Sequence, residues 1–229
     1  MVLDVRLGAA ADLVPNGARL ADIGSDHAYL PIALCLEGKI NCALASDIND
    51  GPVAAAVANI SRNGLASKIK AIRADGLDGA LDFDPDCITV LGMGGELIVS
   101  ILDRAEWIKN EKITLVLQPM THPEILSKYL AKNGFDIVDE VIVCDRGRDD
   151  RIYRVISARY SGKPYELCKV AALIGAKNIE RLDNVTKAYV ERQISVFESR
   201  VKGKKIAGQD VSGEEKLICE MKKILEDKV

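Results

Sequence analysis

Apolar residues in the first two thirds of the chain form short, strand-length runs separated by amphipathic or Ala-rich stretches. The runs occupy 18–24, 41–48, 69–75, 86–93 and 113–120. Runs that are apolar on both faces and alternate with helices are typical of parallel strands covered on each side. The helix after the second run is well delimited, with Pro52 in its first turn and Gly64 as its stop. This part of the chain therefore predicts an α/β fold built on a parallel sheet.

The pattern changes in the last third. Two β-rich runs, 135–144 and 151–160, are joined by a polar segment and predict an antiparallel hairpin at one edge of the sheet. Beyond it, apolar residues recur every three or four positions, which predicts two antiparallel helices packed as a short coiled coil and linked by 202–213. The first stripe contains Ile179, Leu182, Val185, Tyr189, Val190, Ile194, Phe197 and Val201, and the second contains Leu217, Met221 and Ile224 or Leu225. We expect a domain over 1–161 and a helical domain over 162–229.

Composition narrows the functional classes. A hydrophobic fraction of 48% is ample for a buried core, and the net charge of -3 is no general signal for nucleic acid. Any RNA footprint must therefore be a local patch, and basic residues outnumber acidic ones only after residue 163. The six cysteines contain no CxxC pair, and His27 and His122 are far apart, so we expect no metal site. With no membrane-length apolar run, we expect a cytoplasmic protein without membrane contact. We also expect a monomer.

The turn after the first predicted strand, "DIGSDHAYLP" (22–31), is placed where nucleotide-binding folds bind ligands. A dinucleotide fingerprint needs a second glycine near the pyrophosphate, and that position holds Asp26. Since a carboxylate would repel two phosphates, NAD and FAD are disfavoured. S-adenosylmethionine fits better, because it has no phosphate and carries a sulfonium, an ammonium and a carboxylate.

Three further strand ends fit the same ligand. Asp47 ends the second strand, where an acidic residue accepts hydrogen bonds from ribose hydroxyls. Asp75 follows the third strand and is a candidate acceptor for the adenine amino group. The "GMGG" segment (92–95) follows the fourth, where glycines allow close approach of the backbone to a ligand. Four strand ends are expected to converge on one crevice.

The segments "ADIGSDHAYLP", "DINDGPVAAAVANI", "ADGL", "GMGG" and "LVLQP", in this order and spacing, resemble the TrmK family of bacterial tRNA (adenine-N1)-methyltransferases acting on A22. The resemblance covers about 5–160 well and the helical tail only in architecture. It implies a Rossmann-like class I methyltransferase sheet, S-adenosylmethionine as methyl donor, tRNA as partner, and a helical hairpin thought to help position tRNA. The cofactor-binding residues expected from the strand ends and the resemblance are Asp22, Gly24, His27, Asp47, Ile48, Asp75, Gly76, Gly92, Met93 and Gly94.

Catalytic candidates follow from the chemistry of adenine. N1 has an in-plane lone pair and needs no deprotonation, so the enzyme mainly orients two reactants and excludes water. Positive charge appears on the purine, where a carboxylate would stabilise it; Asp26 is the candidate. A base extruded from a helix needs a stacking partner, for which Tyr29 is first and His27 second. The expected RNA-binding residues are Arg146, Arg148, Lys202, Lys204 and Lys205.

Each assignment has a structural alternative. Asp22 and Asp26 are also suited to cap the next helix, and Tyr29 to pack in its first turn. At the level of the whole chain, two other functions stay open: a methyltransferase with a small-molecule or protein acceptor, and a non-catalytic nucleotide- or RNA-binding module. An NAD-dependent oxidoreductase is the weakest interpretation, for the charge reason given above.

Overall fold

The computed structural model describes residues 1–147 and 150–226. Its strands are β1 (Arg19–Ile23), β2 (Cys42–Asp47), β3 (Ile69–Arg73), β4 (Cys87–Gly94), β5 (Thr114–Thr121), β6 (Phe135–Asp145) and β7 (Arg151–Tyr160). Its α-helices are α1 (Val5–Leu13), α2 (Tyr29–Leu36), α3 (Asp50–Arg62), α4 (Gly95–Asp103), α5 (Pro123–Lys132), α6 (Lys169–Ile174), α7 (Ala176–Arg181), α8 (Asn184–Ile206) and α9 (Ser212–Glu226).

The strands form one sheet in the order β3-β2-β1-β4-β5-β7-β6. The first five are parallel, and β7 pairs antiparallel with both β5 and β6. The strand order reverses between β1 and β4, which places a ligand-binding switch point at their carboxyl ends. The predicted Rossmann-like sheet with an antiparallel edge hairpin is confirmed.

Two apolar cores cover the two faces of this sheet, because its strands alternate apolar residues toward both sides. Leu20 of β1 packs in the first core with α1, α2 and α3, whereas Ile88 of β4 packs in the second with α4 and α5. The predicted end of α3 is also confirmed, since the helix ends at Arg62 and Gly64 follows with a φ of 69°. The switch point between β1 and β4 therefore lies at the edge of a sheet that is covered on both faces.

The C-terminal helices differ from the prediction at two points. The first apolar stripe is not one helix: α7 ends at Arg181, Leu182 has a φ of 41°, and α8 starts at Asn184. The break is stabilised by Asp183, whose side chain caps α8 by accepting from the Thr186 N–H at 2.7 Å. The link predicted at 202–213 is also wrong, since α8 continues to Ile206.

The last two helices pack against each other in antiparallel fashion. Glu198, in the middle of α8, pairs with Lys222 near the end of α9, whereas Lys204 at the end of α8 pairs with Glu214 at the start of α9. Together with α6 they build a third core around Val190, which also includes Ile142 of the edge hairpin. The hairpin thus contributes to the sheet and to the helical part, and the boundary at 161 stays a prediction.

A buried ion pair joins the hairpin to the helices. Arg154 of β7 donates from Nε to Glu140 Oε2 at 2.9 Å and from Nη1 to the Ala172 carbonyl at 2.8 Å. Glu140 of β6 also accepts from the Lys177 N–H through Oε1, at 2.9 Å. A Cβ at Gly175 would collide with this carboxylate, so the turn between α6 and α7 requires glycine there. One carboxylate and one guanidinium therefore connect two strands with two helices.

Candidate functional site

A crevice of about 380 Å³ opens at the carboxyl end of β1. Its walls are the β1–α2 turn, the start of α1 and the end of β4. The lining residues are Asp4, Arg6, Leu7, Asp22, Ile23, Gly24, Ser25, Asp26, His27, Ala28, Tyr29, Leu30 and Leu91. Five predicted site residues of the turn are thus brought together around one opening.

Asp22 is the buried member of this group. Its Oδ1 accepts from the Thr89 hydroxyl at 2.6 Å, across the β1–β4 pair. Burial raises the pKa of Asp22, against the opposing effect of the Ser25 and Thr89 side chains and the positive charge of Arg6. The Asp22 carboxyl therefore holds the ends of two strands together behind the crevice.

Backbone geometry explains the residues at both ends of the turn. Gly24 has a φ of 73°, and a Cβ there would collide with Met93 Cε. Ala28, at the N-cap of α2, has a φ of 54° although it is not glycine. Left-handed backbone at a non-glycine residue is a strain that concentrates at functional sites. At its start the turn is thus shaped by the close approach of Met93 to Gly24, and at its end by the strained backbone of Ala28.

The three catalytic candidates face solvent at the mouth of the crevice. The Asp26 side chain is 71% exposed, and its Oδ2 lies 3.5 Å from His27 Nε2. His27 and Tyr29 stack with ring centroids 5.0 Å apart and an interplanar angle of 25°. A pair of stacked rings beside an accessible carboxylate can hold a flat base and stabilise positive charge on it.

Arg6 lines the crevice and the buried Gln118 supports it from behind, and neither was predicted to act there. Arg6 donates from Nη1 to Gln118 Oε1 at 3.1 Å, and the Gly92 N–H donates to the same oxygen at 3.1 Å. Gln118 is fully buried, and its Nε2 donates to the Pro119 carbonyl at 2.9 Å. This network holds the "GMGG" backbone against α1. Among the described residues no acceptor takes the Nε or Nη2 protons of Arg6, which remain available to a ligand.

The end of β2 offers a carboxylate and an apolar side chain to the same edge of the sheet. Asp47 Oδ1 accepts from the Asn49 N–H at 2.8 Å, and no residue in the described part of the chain donates to Oδ2. Ile48 follows and is 53% exposed, although it is a large apolar residue. An open carboxylate oxygen beside an uncovered apolar surface suits a ribose and the face of its base.

At the end of β3, Asp75 is already engaged. Arg104, the residue directly after α4, donates to both of its oxygens, at 2.9 and 3.0 Å. The hydrogen bond from Arg104 lowers the pKa of Asp75 below its usual range. Gly76 has a φ of 57°, and a Cβ there would press on Arg104 and Ile101. An adenine amino group at Asp75 would thus share the carboxylate with Arg104.

The predicted RNA-binding residues do not form one group. Arg146 is exposed at the hairpin tip, and Arg148 lies outside the described residues. Instead of a free loop, Lys202, Lys204 and Lys205 occupy the last turns of α8. Lys204 and Lys205 form ion pairs with Glu214 and Glu215 of α9, the second at 2.8 Å. These two charges are therefore partly neutralised within the protein.

Over 1–147 and 150–226, no three His, Cys, Asp or Glu side chains converge on a position that could hold a metal ion. Within the same ranges, no helix has the length and apolarity needed to span a membrane.

Comparison with known proteins identifies the family. A family model described as a methyltransferase domain matches residues 3–156. The tRNA (adenine(22)-N(1))-methyltransferase of Bacillus subtilis (strain 168) is 40% identical over 156 residues. That alignment covers 68% of this chain and 64% of the B. subtilis protein, which is less than two thirds of its length. The chain belongs to the TrmK family.

Solved structures extend this similarity beyond the sheet. The B. subtilis m1A22 tRNA methyltransferase TrmK matches with a TM-score of 0.80 and 30% identity, covering 99% of this chain and 98% of that one. Sp1610 of Streptococcus pneumoniae, a putative tRNA (m1A22) methyltransferase solved in complex with S-adenosyl-L-methionine, matches with a TM-score of 0.84 and 29% identity over 96% and 99%. Both TrmK-like structures therefore share the helical part as well as the sheet.

Proposed function

We propose that this TrmK-family protein transfers a methyl group from S-adenosylmethionine to N1 of adenine 22 in tRNA. The observation that carries the proposal is the crevice at the carboxyl end of β1, with an acidic turn where a pyrophosphate-binding fold has glycine. The 40% identity to a tRNA (adenine(22)-N(1))-methyltransferase supports a tRNA acceptor over a small molecule or a protein.

The residues of the crevice fit S-adenosylmethionine group by group. Arg6 is the one arginine or lysine among the described lining residues, so it is suited to the methionyl carboxylate. The open oxygen of Asp47 is suited to the ribose hydroxyls, and exposed Ile48 to the adenine face. The collision that a Cβ at Gly24 would cause shows how closely the backbone and Met93 already approach each other at this point. When bound, S-adenosylmethionine would supply a methyl group on a positively charged sulfur.

Exposed side chains at the mouth of the crevice would bind the adenine and stabilise the charge that develops on it. Tyr29 would hold an extruded adenine with N1 toward the crevice, and its stacking on His27 supports this role. Asp26 is accessible and negative, so it would stabilise the positive charge that methylation leaves on the purine and accept a proton from N6. Orientation and water exclusion together are worth roughly 7–11 kcal/mol of the barrier.

A single-nucleotide comparison tests this function. Purified protein is incubated with labelled S-adenosylmethionine and unmodified tRNA transcripts that differ only in having A22 or G22. Label should enter the A22 transcript alone, and reverse transcription should stop at position 22, because N1 methylation blocks base pairing. Equal labelling of both transcripts would reject the target, and absence of S-adenosylmethionine binding would reject the donor.

The division of labour and the assembly state belong to the same proposal. Residues 1–161 would carry methyl transfer, and 162–229 would position tRNA, with the protein acting as a cytoplasmic monomer. The separation between the crevice and the third core supports this division. Light scattering of the protein alone and with tRNA would show one copy per tRNA.

A further inference from the structure

A second and larger cleft lies between the end of β5 and the C-terminal helices, with a volume of about 520 Å³. One wall is the β5–α5 loop with α5 and the adjoining α6, and the other is a single face of α8. Residues Tyr189, Gln193, Val196 and Arg200 lie three or four positions apart, which places them on one side of the helix. We call this opening the α5–α8 cleft.

The charge of the α5–α8 cleft is opposite to that of the whole chain. Lys128, Lys169, Arg192 and Arg200 line it and are exposed. Glu124 is the acidic residue among the described lining positions, in a protein whose net charge is -3. Concentrated positive charge in a concave surface attracts anions from solution.

These four cations are not neutralised within the protein. Among the described residues, none of them forms an ion pair; Arg192 donates only to the Asp150 carbonyl, at 3.3 Å, and Arg200 lies over the Phe197 ring at 4.9 Å. The fifth cation of the cleft, Arg154, is bound to Glu140 and buried. Lys204 and Lys205 differ from these four cations, because both form ion pairs with glutamates of α9.

The spacing of the cations favours a chain of anionic groups over a single one. Arg192 and Arg200 are eight residues apart on α8, which corresponds to about 12 Å along the helix axis. Backbone positions at that distance suit contacts to successive phosphates of a strand better than contacts to one isolated anion. Half-buried Phe197 and Gln193 lie between them and offer a ring face and an amide to a base or a ribose.

The cleft is also continuous with the edge that carries the "GMGG" segment. Thr121, in its wall, pairs with Gly94 in the β4–β5 register. Gly95 lies so close to the His122 carbonyl that a Cβ would collide with it. A polymer that crosses the α5–α8 cleft therefore passes beside the end of β4, where Met93 approaches Gly24 of the catalytic crevice.

We propose that the α5–α8 cleft binds the sugar-phosphate backbone of the tRNA next to the methylated adenine, through Lys128, Lys169, Arg192 and Arg200. This inference rests on the proposed function, because it names where the substrate of that site is held. The inference assigns RNA binding to cations on two facing walls of a concave site, and not to the lysines at the end of α8. Phosphate contacts of this kind set position and affinity and fade with added salt.

Matched charge removals test the assignment. The variant Arg192→Gln with Arg200→Gln is compared with Lys204→Gln plus Lys205→Gln, which removes two charges from the same helix. Binding of an unmodified A22 transcript is measured by fluorescence anisotropy across a salt series. The cleft variant should bind at least about tenfold more weakly, with a salt slope smaller by about 1.4–1.8. The control variant should stay within about threefold of the parent.

A second double variant distinguishes lost charge from a folding defect in α8. Lys128→Gln with Lys169→Gln removes charge from the opposite wall and should give a similar loss. All variants should keep the parent's affinity for S-adenosylmethionine, which shows that the sheet is intact. Equal losses in the cleft and control variants, or an unchanged affinity in both cleft variants, would overturn the inference. Failure of the unaltered protein to bind tRNA would instead reject the proposed function.

Discussion

Replacing Glu140 by alanine should lower the free energy of unfolding by about 3–5 kcal/mol, although residue 140 lies outside both clefts. The Glu140 side chain is fully buried and accepts from Arg154 and from the Lys177 N–H. Its removal would leave the Arg154 guanidinium, itself 3% exposed, as a buried charge without a counter-charge. The loss of stability arises from the unpaired Arg154 charge and from the Lys177 N–H, which loses its acceptor. The cavity left by the missing side chain adds to this loss.

Two further variants isolate the ionic part of this cost. Glu140→Gln keeps the size and one acceptor oxygen, so it should destabilise less than alanine. Arg154→Met with Glu140→Met removes both charges and should cost less than the sum of the single changes, because neither partner is then stranded. The remaining cost of the double variant should reflect the Ala172 carbonyl, which loses the donor from Arg154.

Urea unfolding with two probes measures these effects. The single tryptophan, Trp107, packs against the second core of the sheet, whereas circular dichroism also reports the C-terminal helices. We expect the two curves to separate in Glu140→Ala, with the helical signal lost first. A cost below about 1 kcal/mol, or single-variant costs that add to within about 0.5 kcal/mol, would refute the reasoning.

Two other predictions concern the crevice, and a third concerns the end of β3. Arg6→Met should weaken S-adenosylmethionine binding about 10–100-fold, the loss of one charge-assisted contact, yet leave the binding of decarboxylated S-adenosylmethionine unchanged in calorimetry; an equal loss for both ligands would contradict the carboxylate assignment. Asp26→Ala should reduce single-turnover methylation by about 100-fold or more while cofactor affinity stays near the parent's, and a pure affinity loss would reassign the residue. Since Arg104 lowers the pKa of Asp75, the contribution of this pair to stability is present above the ordinary aspartate range and is lost as the pH falls through the lowered value. Arg104→Gln should therefore raise the pKa of Asp75 in a carbon-13 NMR titration, and an unchanged midpoint would refute that cause.

The strands and their ends were predictable because parallel strands carry a strong local signal. Five runs apolar on both faces became β1–β5, and the glycines after β1, β3 and β4 marked places where the backbone turns or approaches a neighbour. Arg6 gave no such signal, because one arginine on a nine-residue helix has no pattern of its own. Its importance depends on the fold, which brings residue 118 to within 3.1 Å of it.

The helical tail shows a different limit. Apolar spacing of three continues through Leu182, so periodicity alone cannot detect the break, whereas the Asp183 cap that produces it is a local feature. Pairing of charges is harder still to foresee. Which lysines are neutralised follows from how α8 meets α9, and which cations share a cleft follows from the packing of α5, α6 and α8.

The third core bears on whether the chain can be shortened. Ile142 and Ile152 belong to strands of the sheet, yet they pack among side chains of the C-terminal helices. A polypeptide ending at residue 161 would retain β1–β7 and leave these side chains in water on the outermost hairpin. Outer strands with bare apolar side chains invite pairing between molecules. We therefore expect a chain shortened at residue 161 to aggregate more readily than the full chain, whatever the tail contributes to RNA binding.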